Sequence, residues 1–424
     1  MAGSIGSVIS VRDFDRDQIL HVLSVAERME AEDHFGLLQG KVLATIFLEP
    51  STRTRLSFAS AMMRLGGQVL DFGDSEQSSF KKGESLSDAI RVVAGYCDVI
   101  VLRHPWEGAA RLAARIAGRP VINAGDGANQ HPTQTFLDLY TIRKVRGRID
   151  GLTVGFVGDL KYGRTVHSLA TALARFDCRQ VFVAPPLLAV PDELRQELDQ
   201  AGVGYEQTED LHAVLPTLDI IYCTRIQEER FADSVEYERV KGAYRLDLAL
   251  LREGGARDEL RIMHPLPRVD ELAYEVDADE RSMYFKQATR GVPIRMALLA
   301  LLLGARELAI PEVDSPPPVD YPVYRHAISP MCPNPECVSI QATETKYLKP
   351  EFKIVKTQPL TLRCVYCEHG FEPKFVASTE WHEGKLDTKK YHDADSHWTR
   401  TIRPENLIVF NTAEEAQAHG YKPS

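Results

Sequence analysis

The sequence predicts an α/β protein: two parallel-sheet domains followed by a small domain built on four cysteines. Three observations carry this. β-rich runs alternate with helical stretches from Val42 onward, the rhythm of parallel α/β architecture. That rhythm restarts at Leu152. Four of the seven cysteines fall late, behind a proline-rich stretch, where the alternation has stopped.

The elements follow in order. Val42 to Leu48 is a continuous apolar run, expected of a strand covered on both faces. Glu49 and Pro50 make a turn, and Leu56, Phe58, Ala59, Met62, Met63 and Leu65 recur at helical spacing until Gly66 and Gly67 end the helix. Thr153 to Val157 reads as a strand, Gly158 to Arg164 as a loop and Thr165 to Phe176 as a helix. Val181 to Ala184 and Asp219 to Cys223 are further strands. Phe136 to Val145 is helical and joins the two domains, and Ile294 to Leu303 is an apolar, buried helix. Pro311 to Pro330 holds Pro316, Pro317, Pro318 and Pro322 and reads as a semi-rigid linker.

Composition narrows the classes of function. A chain of 424 residues exceeds one ordinary core. At 44% hydrophobic and 26% charged residues it has the balance of a soluble globular protein. A formal net charge of -10 argues against nucleic acid as the main partner, without forbidding a small basic pocket. Met1 to Asp13 lacks the basic and apolar regions of a signal peptide, and Met296 to Leu303 is too short to span a bilayer, so a cytoplasmic protein without a membrane partner is expected. Cys97, Cys178 and Cys223 stand singly in apolar stretches and read as core packing.

Ser51-Thr52-Arg53-Thr54-Arg55 falls at a strand-to-helix turn. A helix start offers unpaired N–H groups and a positive dipole end, and this pentapeptide adds hydroxyls and guanidinium groups, the donors a phosphate dianion needs. The plainer reading, an N-cap serine with solvated arginines, competes until the other motifs are added. Phe47 to Phe58 resembles the carbamoyl-phosphate signature of the aspartate and ornithine carbamoyltransferase family. The resemblance continues to about residue 310 through Lys81-Lys82-Gly83-Glu84, Arg103-His104-Pro105, His131-Pro132-Thr133-Gln134 and His264-Pro265-Leu266-Pro267-Arg268.

The resemblance implies an enzyme that moves the carbamoyl group of carbamoyl phosphate to an amino acid. Residues 1–135 with 286–310 would form the carbamoyl-phosphate domain and residues 136–285 the amino-acid domain. Ser51, Thr52, Arg53 and Thr54 would bind phosphate, with Arg103 reaching both phosphate and carbonyl. Thr54, Arg103 and His131 would converge on the carbonyl oxygen, His131 as a neutral donor or as a cation. Arg53, Thr54, Arg103 and His131 form the implied catalytic set. Gln134 and the carbonyl of Leu266 would hold the carbamoyl amide, beside a cis bond to Pro267. Arg164, Arg225, Gln227 and Lys82 would bind the second substrate. Ser78 and Lys82 would come from a neighbouring subunit, which makes the enzyme a homotrimer.

Pro265 replaces a cysteine of the ornithine branch, and Arg225 and Gln227 suit an anionic side chain, so L-aspartate is the expected acceptor. Ornithine is the alternative, as is a catalytically inactive zinc-stabilised scaffold. A dinucleotide enzyme is disfavoured because no Gly-x-Gly-x-x-Gly follows Val157.

Cys332-x4-Cys337 and Cys364-x2-Cys367 suit one structural tetrahedral Zn²⁺ per chain. Cys332-Pro333-Asn334 and Cys364-Val365-Tyr366-Cys367-Glu368 resemble the zinc domain of the regulatory chain of the bacterial aspartate enzymes, here fused behind the linker as residues 331–424. The nucleotide-binding domain of that chain has no counterpart, so nucleotide effectors are expected to be without action. A nucleic-acid zinc ribbon also fits four cysteines, but the net charge gives it no support. Pairing of two trimers through these modules is a further expectation. The resemblance ends near Phe375. His382, His392 and His397 read as surface histidines, and Asn406 to Pro423 as a strand followed by a helix.

Overall fold

The computed structural model describes residues 6–72, 83–226, 234–241, 244–305, 323–324, 330–379 and 389–424. The chain divides into two compact units. The first draws on Met1–Phe72, Tyr96–Arg103 and Arg119–Asp314, the second on Gly73–Gly95, His104–Gly118 and Ser315–Ser424.

In chain order the elements of the α/β region run α1 (Arg16–Ala31), β1 (Val42–Phe47), α2 (Thr52–Arg64), β2 (Gln68–Phe72), α3 (Leu86–Ala94), β3 (Val99–His104), α4 (Ala109–Ile116), β4 (Val121–Asp126) and α5 (Pro132–Arg146). They continue as β5 (Thr153–Val157), α6 (Arg164–Leu173), β6 (Arg179–Val183), α7 (Asp192–Gln200), β7 (Tyr205–Thr208), α8 (Leu211–Val214) and β8 (Ile220–Cys223). Then come α9 (Ser234–Val240), α10 (Leu248–Glu253), β9 (Arg261–Met263), α11 (Tyr284–Thr289) and α12 (Gly291–Leu302).

Two sheets organise the first unit, in the orders β2-β1-β3-β4 and β7-β6-β5-β8-β9. β1 pairs in parallel with both β2 and β3, and every pair in the second sheet is parallel. Inner strands such as β1 and β5 are apolar and buried, while the edge strand β2 is largely exposed, as two-sided covering requires. α12 has no polar face to give to solvent; it is buried along nearly its whole length and packs on α1, α2 and α5. One apolar core therefore runs from Val8 and Phe14 through Phe136 and Leu299 to Phe156, Phe182 and Tyr222, joining the two sheets. Cys97, Cys178 and Cys223 are buried, as expected. No helix among the described residues is long and apolar enough to cross a membrane.

The second unit holds α3, α4 and the C-terminal module. The module's elements are β10 (Val323–Tyr324), β11 (Phe352–Thr357), β12 (Leu360–Cys364), β13 (Gly370–Phe371), β14 (Phe375–Ser378), β15 (Lys390–Asp393), β16 (Leu407–Phe410), α13 (Ala413–Ala418) and β17 (Lys422–Pro423). They form two sheets, β10-β11-β12-β13 and β16-β14-β15-β17. The linker reading needs amendment at one point: Val323 and Tyr324 pair with Lys353 and Phe352 as an edge strand. A proline just before a strand leaves an outer ladder intact, which the proline count alone conceals. Residues 306–322 and 325–329 of this region lie outside the described residues. The expected strand and helix of the tail are β16 and α13, with Gly420 at φ +80° beyond them, around a small core of Ala377, Tyr391, Ile408, Phe410, Ala416 and Tyr421. His392 and His397 flank the half-exposed Trp398, and His382 lies outside the described residues.

Within this unit the module grips α3 and α4. Glu344, fully buried, accepts from the N–H groups of Leu86 (2.8 Å) and Ser87 (3.2 Å) and from Ser87 Oγ (2.6 Å), which satisfies donors that a helix start leaves open. Glu107 N–H donates to Glu336 O and Val338 N–H to Glu107 O, both at 2.9 Å. Gly108 adopts φ +83°, and a Cβ there would lie 2.6 Å from the Tyr366 carbonyl carbon. Arg111 pairs with Glu368 at 2.8 Å, while Arg115 pairs with Glu351 at 3.0 Å and lies over the Tyr366 ring.

Candidate active site and metal centre

The expected phosphate residues occupy the turn from β1 into α2. Ser51 stands at the N-cap without closing a side-chain cap, Thr52 and Arg53 are exposed in the first turn, and Thr54 is buried. Arg55 turns away to pair with Asp71, whose carboxylate also takes the Thr45 hydroxyl at 2.6 Å. Of the two arginines in the motif, only Arg53 is left to the turn.

Arg103 leaves the carboxyl end of β3 and Arg164 opens α6 after β5, so the ends of both sheets deliver a guanidinium. Arg103 Nη1 donates to Ala124 O at 3.3 Å, and Arg164 Nη1 donates to Gly127 O. Gly125 makes room for both. At φ +118° it lacks a Cβ that would fall 3.1 Å from Arg103 Nη1 and 3.5 Å from Arg164 Cζ. Glu49 Oε2 lies 3.4 Å from Arg103 Nε and 4.0 Å from Arg164 Nη1, bridging the pair. Burial, together with Arg164 and Arg53 and against the pull of Glu49, lowers the Arg103 pKa to about 10.

His131 caps the start of α5, with Pro132 at its first position. Burial, then Arg164, Arg103 and Arg295, holds it well below the usual imidazole range. Of the two forms open from sequence, the neutral N–H donor is the one this surrounding favours. Gln134, one turn on, donates Nε2 to Asp138 Oδ1 at 2.9 Å. The Leu266 turn is held by its neighbours: Leu266 N–H donates to His264 Nδ1 at 2.8 Å, and His264 Nε2 meets Glu271 Oε1 at 2.7 Å. Leu266 adopts φ +54° and its bond to Pro267 is cis. The same local geometry recurs at His104, whose Nδ1 accepts from Trp106 N–H at 2.9 Å.

On the second-substrate side, Gly158 (φ +117°) follows β5 so closely against β8 that a Cβ would sit 2.3 Å from Thr224 O. That approach brings together the loop carrying Arg164 and the segment carrying Arg225, which is half-buried just beyond β8. Ser78, Lys82 and Gln227 lie outside the described residues. Sequence reasoning gave no role to Glu49, Gly125 or Asp138. Glu49 stood inside the quoted motif, whereas nothing in spacing marks the other two.

Cys332, Cys337, Cys364 and Cys367 are buried, with all four sulfur atoms within 4.8 Å of one another. The Cys332–Cys367 and Cys337–Cys364 sulfurs stand 3.6 and 3.8 Å apart. A tetrahedral ion with metal–sulfur bonds of about 2.3 Å requires sulfur–sulfur edges of about 3.8 Å, so the cluster fits zinc. Among the described residues no other cluster of three or more such ligands occurs.

Comparison with known proteins agrees with this geometry. Residues 7–144 match the aspartate/ornithine carbamoyltransferase carbamoyl-P binding domain, and residues 150–302 the Asp/Orn binding domain of the same family. Residues 330–376 match the metal binding domain of the aspartate carbamoyltransferase regulatory chain. The aspartate carbamoyltransferase catalytic subunit of Thermococcus kodakarensis is 58% identical over 301 residues, 70% of this chain and 96% of that one. The Methanopyrus kandleri subunit is 57% identical over 300 residues, covering 70% and 97%. Among solved structures, the catalytic subunit of M. jannaschii aspartate transcarbamoylase superposes with TM-score 0.66 at 50% identity, covering 72% of this chain and 99% of that one. The Trypanosoma cruzi enzyme in complex with carbamoyl phosphate and aspartate gives TM-score 0.67 at 40% identity, covering 71% and 98%.

Proposed function

This chain belongs to the aspartate carbamoyltransferase family, and we propose how its residues divide the work of that reaction. The carbamoyl group of carbamoyl phosphate passes to the amino group of L-aspartate, giving N-carbamoyl-L-aspartate and phosphate. The neutral amine attacks the carbonyl carbon; the bond from that carbon to the phosphate oxygen then breaks, and phosphate departs with the bonding pair and the proton that the new C–N nitrogen sheds.

The observation that carries the reading is the meeting of Arg103 and Arg164 around Glu49 and Gly125, one guanidinium from each sheet. Such a pair suits a phosphate on one side and a carboxylate on the other, at the carboxyl ends of parallel strands. Ser51, Thr52, Arg53 and Thr54 hold phosphate at the start of α2. Arg103, Thr54 and His131 act on the carbonyl oxygen as charge develops there, and a donor in that role is worth about 2.7–4 kcal/mol. A neutral His131 serves as an N–H donor without adding a further cation beside Arg103, Arg164 and Arg295. Gln134 and the Leu266 carbonyl, next to Pro267, hold the carbamoyl amide. Arg164, Arg225, Gln227 and Lys82 bind aspartate; a cationic ornithine would be repelled by the same arginines.

The active unit in this reading is a homotrimer in which Ser78 and Lys82 complete a neighbour's site. Mixing inactive Arg53→Ala and Lys82→Ala chains should restore part of the activity, and correctly reassembled mixtures that stay inactive would remove the shared site. Each chain carries one structural Zn²⁺ on its four cysteines, and pairs of trimers associate through the modules. The protein works in the cytoplasm in de novo pyrimidine synthesis, without nucleotide control by CTP or ATP. The direct test is phosphate release from carbamoyl phosphate with L-aspartate or L-ornithine as acceptor. Aspartate-dependent release supports the reading; release with ornithine alone overturns the acceptor assignment, and release with neither overturns the activity.

A further inference from the structure

Asp138 lies on α5 one turn beyond Gln134 and is wholly buried. Its Oδ1 accepts from Gln134 Nε2 at 2.9 Å and from Gln287 Nε2 at 2.6 Å, and its Oδ2 accepts from the Tyr222 hydroxyl at 2.9 Å. Gln287 Oε1 in turn accepts the His264 N–H at 2.9 Å, and His264 Nδ1 accepts the Leu266 N–H at 2.8 Å. An unbroken chain of hydrogen bonds thus joins Gln134 to the Leu266 turn. It ends at the Leu266 N–H, in the same residue whose carbonyl, with Gln134, is given above to the carbamoyl amide.

The chain has a fixed polarity. Oδ1 of a carboxylate facing two amides can only accept, so Gln134 must turn its NH₂ toward Asp138 and its Oε1 away. An amide oxygen presented in this way accepts from an N–H group and has nothing to offer a methyl group. We propose that Asp138 is a positioning residue that locks the acceptor face of Gln134 toward the substrate, so that the site selects carbamoyl over acetyl phosphate. This rests on the carbamoyl-transfer reading above. Burial pushes the Asp138 carboxyl up to about 7. A proton taken up there has its place on Oδ2, against a tyrosine hydroxyl that accepts as well as it donates, so Oδ1 keeps its role in either state.

The discriminating experiment uses the full-length, metal-loaded protein with L-aspartate as acceptor and compares kcat/KM for carbamoyl phosphate and acetyl phosphate. With Asp138→Ala the preference for carbamoyl phosphate should fall by at least about tenfold, because the amide of Gln134 is free to turn. With Asp138→Asn it should stay within about threefold of wild type, since Asn Oδ1 still accepts from both amides and its NH₂ meets Tyr222. A purely structural Asp138 would instead lower both donors in parallel and leave the ratio unchanged, which overturns the proposal. Should Asp138→Ala fail to fold, a wild-type structure with phosphonoacetamide decides. Gln134 bridging Asp138 and the ligand nitrogen supports the assignment, and Gln134 turned away from Asp138 overturns it. Wild-type protein that transfers neither group overturns the carbamoyl-transfer reading itself, and Asp138 with it.

Discussion

The α/β body and the C-terminal module order their chains by different means. In the body an apolar core runs continuously through both sheets, and α12 contributes buried side chains on every face. Burying one such side chain is worth about 1.5–3 kcal/mol, so the order is shared among many small contributions. The module has short strands, a small apolar cluster in its tail, and four sulfurs drawn to metal-binding distance. Distributed burial tolerates the loss of one member, whereas a four-ligand metal centre does not. The buried polar groups follow the same division. In the body, Asp138 and the arginines belong to the proposed site; in the module's unit, Glu344 fastens the start of a helix.

The largest expected effect breaks the module. Cys364→Ser should drop bound zinc from one per chain to near zero and abolish amide protection in β11 and β12, since structural zinc contributes roughly 10–16 kcal/mol of apparent binding free energy. Leu299→Ala, the matching change in the body, should cost only about 2–5 kcal/mol by urea denaturation and leave the protein folded. Zinc analysis and hydrogen exchange on both variants set the two modes of order side by side.

Arg103→Ala should lower kcat by a factor of about 10²–10³ at saturating substrates, the loss expected for one donor to a developing charge. The melting temperature should hold or rise, because a buried cation beside Arg164 is relieved. Glu344→Ala should cost roughly 2–3 kcal/mol by leaving the donors at the start of α3 unmet, and Glu344→Gln less; denaturation of the full chain reads both.

The smallest effect is one of pH. Burial lowers the His104 pKa to about 3, and His131 is likewise held low. The unfolded chain takes up these protons near 6.5, so it binds more protons than the folded chain below that pH, and stability falls as pH drops. Between pH 6.5 and 5.5 the loss should be roughly 1 kcal/mol for His104, with His131 adding in the same direction, measured by urea denaturation, and His104→Asn should flatten the slope.

Much of this architecture is written in local pattern. The two-sided apolar runs of β1 and β5, the all-round apolar α12 and the paired cysteines each follow from periodicity or spacing. Ser51 to Thr54, Arg103, His131 and Gln134 stand out as candidates in the sequence because the motif that holds them is contiguous or keeps family order. Three kinds of feature were not. Glu49 stands among named residues, but its place between two arginines depends on sheets that meet far apart in sequence. Asp138 reads as an ordinary helix residue until Tyr222 and Gln287 arrive from β8 and α11. The grip of Glu344 on α3 joins positions more than 250 residues apart, a distance no local pattern spans.

In the proposed site the ends of the two sheets act together, with phosphate on the Arg103 side and carboxylate on the Arg164 side. N-(Phosphonacetyl)-L-aspartate carries both groups on one frame, and calorimetric titration of the zinc-loaded protein reads whether both arginines hold it. One molecule should bind per chain, and affinity should fall at least about tenfold in Arg103→Ala and in Arg164→Ala alike. Unchanged affinity in either variant, or phosphonoacetate binding as tightly as the joined ligand, would contradict a single two-sided site.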